Sequence, residues 1–110
     1  MKMMTLLPIA LQVLLGAAPA IAASPISTGE RLAATCTACH GTRGSKLATL
    51  ALPTLAGQPK QTLLANLKAF KEGSRPATIM TQLTRGYSDE QLAQIAAWFA
   101  AQKESGHEAP

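Results

Sequence analysis

The sequence predicts a small all-helical fold, and three observations carry that prediction. No run alternates β-branched or aromatic residues with polar ones, as a half-buried strand would. Ala, Leu, Gln and Lys dominate instead, and these are strong helix formers. Three segments also combine apolar residues at helical spacing with start and stop signals, and Gly- and Pro-rich stretches separate them.

The first of these helices is expected from Thr28 through Cys39, ending near Gly41. From Gly41 to Gly57 the chain holds Gly44, Ser45 and Pro53 and reads as an irregular loop. A central helix follows, with Pro59 in its first turn, Leu63, Leu67 and Phe70 on one face, and Gly73 placed to end it. Ser74 to Arg85, with Pro76 and Met80, reads as a second loop with room for one helical turn. The last helix is the most sharply marked. Ser88 and Gln91 form a capping box, Asp89 and Glu90 suit the positive helix start, and Leu92, Ile95, Ala96 and Phe99 recur along one face.

The beginning of the chain reads as something other than this domain. Lys2 gives a positive start, Met3 to Leu15 is largely apolar, and Ala20-Ile21-Ala22 has the small-x-small pattern of a signal-peptidase site. Residues 1–22 are therefore expected to be a cleaved signal peptide and 23–110 the folded domain. Pro8 and Gly16 interrupt the apolar run and disfavour the alternative, an uncleaved membrane anchor. The mature chain then keeps nine Lys and Arg against six Asp and Glu. So mild a balance argues against a nucleic-acid partner, which needs a dense basic face. A domain this small with one Trp, one Tyr and two Phe has little aromatic core and would gain from a cofactor that staples it.

Cys36-Thr37-Ala38-Cys39-His40 supplies the chemistry for such a staple. Cysteines three apart on a helix face one side, so both thiols can capture the two vinyl groups on one edge of a haem. The adjacent imidazole then reaches the iron, and in an exported protein the string reads as c-type haem attachment. Rival readings fit less well. A thioredoxin-like pair needs a βαβ setting, a zinc site needs four ligands, and a structural disulfide leaves His40 unused. With the leader removed Met80 is the only methionine. Its thioether is the expected second axial ligand, since His–Met ligation raises the potential of electron-carrying haems. His107 is the runner-up, and an open iron is the third possibility. Pro53 is a candidate to offer a backbone carbonyl to the other nitrogen of His40. Lys46, Lys60, Lys68 and Lys71 form a candidate docking rim.

Taken together, the Cys36–His40 string, Pro53-Thr54-Leu55-Ala56-Gly57-Gln58, Met80 and the aromatic C-terminal helix resemble the class I c-type cytochromes. The resemblance runs from about Thr28 to Lys103. It implies a fold whose N- and C-terminal helices cross beside a covalently bound haem, with Gly29 at the crossing under Trp98 or Phe99. It also implies Pro53 as the acceptor for the proximal histidine and Met80 as the distal ligand. A narrower likeness lies in Arg75-Pro76-Ala77-Thr78-Ile79-Met80 and Arg85-Gly86-Tyr87-Ser88, which look like the cytochrome subunit of flavocytochrome c sulfide dehydrogenases. That likeness implies a periplasmic protein taking electrons from a flavoprotein (FAD) subunit. The alternative is a free, diffusible carrier serving another respiratory or sulfur-oxidising enzyme. In either role the chain is expected to be no enzyme by itself, and to keep no membrane attachment once its leader is gone. Thr62 and Asn66 stand where many relatives have tyrosine and glutamine, so contacts to the haem propionates there would differ.

Overall fold

A computed structural model of the chain describes Gly16, residues 25–45 and residues 51–103. The expected signal peptide (apart from the exposed Gly16), Lys46 and His107 lie outside the described residues. Four helices make the domain: α1 (Thr28–His40), α2 (Lys60–Glu72), α3 (Ile79–Arg85) and α4 (Asp89–Ala100). Among the described residues no strand occurs, and no helix is long and apolar enough to cross a membrane.

Each helix end has a local cause. The Ser27 hydroxyl accepts the Glu30 N–H at 3.1 Å and starts α1. Pro59 immediately precedes α2, and Gly73, in the left-handed conformation (φ 80°), ends it. At α4 the capping box is complete: Ser88 Oγ accepts the Gln91 N–H at 3.1 Å, and Gln91 Oε1 accepts the Ser88 N–H at 2.9 Å.

Packing then draws α1 and α4 together over Ala33, Leu92, Ile95, Ala96 and Phe99, with Leu63 of α2 closing the core. Phe99, Leu92 and Ile95 are fully buried, and each contributes roughly 1.5–3 kcal/mol by leaving water. The two helices cross at Gly29. A Cβ there would lie 2.8 Å from the Gln94 carbonyl oxygen and 3.2 Å from Trp98 Cβ, so only glycine allows this approach. Trp98 is thus the residue over Gly29. Phe99 instead packs on Gly44, 2.7 Å from where a Cβ would stand.

Two expectations are corrected. The stretch before Arg85 is a seven-residue helix, α3, rather than a loop with a single turn. Within the helix, buried Thr84 donates back to the Met80 carbonyl at 2.7 Å, and a tertiary contact follows it: Tyr87 donates to the Leu32 carbonyl of α1 at 3.4 Å. The connection after α1 also contains a 3-10 turn, Thr42–Gly44, made possible by positive φ at Gly41, Arg43 and Gly44.

Candidate cofactor site

The helices enclose an apolar cavity with two adjoining lobes, of about 400 Å³ and about 130 Å³. Cys36, His40, Leu52, Leu67, Met80 and Ile95 line both lobes. The last turn of α1 therefore delivers the imidazole and one thiol into the same space that the first turn of α3 supplies with the thioether. Cys39 lines the smaller lobe and is exposed. Both cysteines are free. Burial pushes the Cys36 thiol above its ordinary pKa; a backbone hydrogen bond opposes this, and neighbouring Cys39 adds to it.

His40 is 7% exposed, and its Nδ1 lies 3.1 Å from the Pro53 carbonyl oxygen. A carbonyl only accepts, so Nδ1 carries a hydrogen, and in the neutral ring Nε2 is the nitrogen that keeps its lone pair. The carbonyl is held by a stitched loop. Gly44 O accepts the N–H groups of Leu55 (2.9 Å) and Ala56 (3.2 Å), and Gly57 N–H reaches Phe99 O at 3.0 Å. The Gln58 side chain donates to the Thr54 carbonyl within the same loop. Gly44 was missed as a site-supporting residue by sequence reasoning. Its only trace there is a glycine in a loop, because its contact with Phe99 is far along the chain.

Other expected residues fall as follows. Asn66 lines the larger lobe, whereas Thr62 is exposed and does not line the cavity. Lys68 and Lys71 face Asp89 at 3.9 and 3.1 Å, so two members of the expected docking rim are paired with a carboxylate. The hydrogen bond from Lys71, and then its charge, hold the Asp89 carboxyl below the usual range. At the solvent side of the cavity, Leu52, Leu83 and Ile79 are exposed, Ile79 by 67%.

A donor set of two thiols one helical turn apart, an imidazole with its second nitrogen engaged, and a thioether suits a flat apolar macrocycle bearing an iron. The family model for cytochrome c matches residues 26–103. The chain belongs to the cytochrome c family. It is 40% identical over 84 residues to cytochrome c-554(548) of Halomonas halodenitrificans, covering 74% of this chain and 100% of that protein. It is 44% identical over 84 residues to cytochrome c4 of Pseudomonas aeruginosa, covering 76% of this chain but 41% of the relative. It is 33% identical over 91 residues to the cytochrome subunit of sulfide dehydrogenase of Chlorobaculum tepidum, covering 83% of this chain and 81% of that subunit. As a cytochrome c it carries covalent haem c, for which Cys36 and Cys39 are correctly spaced, and it transfers electrons without being an enzyme in itself.

Proposed function

We propose that this cytochrome is an exported, periplasmic one-haem electron carrier, with residues 1–22 removed. Cys36 and Cys39 form the thioether links, and His40 and Met80 are the two axial ligands. The observation that carries this reading is the shared cavity, with Met80 and His40 both on its wall and the Pro53 carbonyl 3.1 Å from His40 Nδ1. Haem c held there supplies a one-electron couple. Pro53 fixes the orientation and tautomer of the imidazole, so that its basic nitrogen needs no rearrangement between redox states. Met80 keeps its position because Thr84 bonds its carbonyl within α3 and Tyr87, just after that helix, is tied to the Leu32 carbonyl of α1. The apolar walls contributed by Leu67 and Ile95 exclude water, which favours the less charged, reduced state. Electrons would pass at the exposed side, among Leu52, Ile79 and Leu83, where a redox partner can approach.

The electron donor on this reading is a flavoprotein (FAD) sulfide dehydrogenase, with this chain as its cytochrome subunit. The relative that supports it is matched over 81% of its length, and the Arg75–Met80 and Arg85–Ser88 segments resemble such subunits in sequence. A free diffusible carrier is the second reading, favoured by the full coverage of the short cytochrome c-554(548). Purification under mild conditions followed by a flavin assay separates the two. Stable copurification with a yellow FAD-containing chain is expected for the subunit. A flavin-free monomer that exchanges electrons in weak, salt-sensitive encounters would replace that reading with the second.

A further inference from the structure

Among the described residues lining the cavity, Arg75 alone carries a permanent charge. Its position is set by the end of α2. The chain reverses at Gly73, and the Ala69 carbonyl accepts both the Arg75 N–H (3.1 Å) and the Ser74 hydroxyl (3.3 Å). The guanidinium then lies over the Phe70 ring, 4.7 Å from its centre, and Phe70 itself lines the cavity. Stacking covers one face of the guanidinium and leaves its in-plane N–H groups free to donate. Among the described residues no carboxylate lies within ion-pair distance of it.

The two lobes differ in chemistry. Cys39 lines only the smaller one, whereas Gln58, Asn66 and Arg75 line only the larger. A haem has the matching asymmetry, with vinyl groups on one edge and two carboxylates on the opposite edge. An ionised carboxylate against an apolar wall is costly unless a charged, hydrogen-bonding partner meets it, and a guanidinium meets carboxylates in bidentate fashion. We propose that Arg75 is a positioning residue that binds a haem propionate, with Asn66 beside it, and that its charge holds the reduction potential up. Unpaired, the propionate's negative charge would stabilise the ferric state. The inference rests on haem c occupying this cavity.

The test compares the holoproteins Arg75→Gln, Arg75→Lys and, as a control, Lys60→Gln. Lys60 is exposed, does not line the cavity, and its change removes the same single charge. Redox titration of Arg75→Gln at fixed pH should shift the equilibrium toward ferric by about tenfold, or about 59 mV for a one-electron couple. Lys60→Gln should shift it by less than about twofold, and Arg75→Lys should recover most of the wild-type value. A role limited to stacking on Phe70 would lower thermal stability but leave the potential of Arg75→Gln equal to that of Lys60→Gln, and that result overturns the proposal. So does a fall in Arg75→Lys as large as in Arg75→Gln. Should Arg75→Gln yield no holoprotein, Arg75→Lys decides by redox-difference infrared spectroscopy: the propionate carboxylate band must move from its wild-type position, and an unmoved band overturns the proposal. Failure of the His40–Met80 reading is seen separately, in the visible spectrum of the unmutated protein.

Discussion

Replacing Gly29 with alanine sets two effects of opposite sign against each other. Intrinsic helix propensity favours alanine by up to about 1 kcal/mol, and by less in a first turn. Against this, the added Cβ meets the Gln94 carbonyl oxygen at 2.8 Å and Trp98 Cβ at 3.2 Å. The first is a backbone atom and cannot rotate away, so relief to an ordinary contact of 3.4 Å requires α1 and α4 to separate by about 0.6 Å. A gap of that size forfeits a quarter or more of the dispersion energy of the atoms on either side. Overpacking of this kind costs about 1–3 kcal/mol. The clash wins, with a net loss of about 1–2 kcal/mol, which in a domain of this size lowers Tm by roughly 4–16 °C. Thermal unfolding of holoprotein Gly29→Ala followed by circular dichroism measures it. A Tm equal to or above that of the parent would refute the reasoning, because it would mean that propensity outweighs the crossing.

Gly44→Ala should be more damaging, by about 2–4 kcal/mol, since strain at positive φ adds to a contact 2.7 Å from the Phe99 ring. Because the same carbonyl anchors Leu55 and Ala56, the yield of haem-loaded protein should fall as well, as the visible spectrum per mole of chain will show. Lys71→Ala should raise the Asp89 pKa toward its ordinary value, readable by NMR titration, whereas Lys68→Ala, at the longer distance, should move it less. The sign for stability follows from the depressed folded value. The contribution is present above the ordinary carboxylate pKa and is lost as pH falls through the lowered one, so the Lys71→Ala stability difference should close in acid.

Legibility followed the range of the interactions. The last helix could be read because both its cap and its apolar face are local: Ser88 and Gln91 are three residues apart, and Leu92, Ile95, Ala96 and Phe99 form one stripe. The Gly29 crossing was legible through family resemblance, but its partner was not, since Trp98 and Phe99 are adjacent and only the helix rotation separates them. The helix α3 was hidden for a physical reason. Thr78 makes no side-chain cap bond, Pro76 advertises a loop, and the contact that ties this segment to another element, Tyr87 on the Leu32 carbonyl, spans distant parts of the chain. The pairing of Lys68 and Lys71 with Asp89, and the fit of Phe99 on Gly44, join distant segments, and no local pattern announces them. The Cys36–His40 string was readable because its spacing is itself the chemistry.

His40 and Met80 line one cavity, and the proposed function requires both to meet the haem iron from its walls. The most direct test is the visible spectrum of purified holoprotein beside that of Met80→Ala, each with and without carbon monoxide. A low-spin six-coordinate spectrum indifferent to carbon monoxide is expected in the parent, and its replacement by an open iron that binds carbon monoxide rapidly is expected in Met80→Ala. A high-spin parent that binds carbon monoxide at once, unchanged by the substitution, would contradict the proposed ligation.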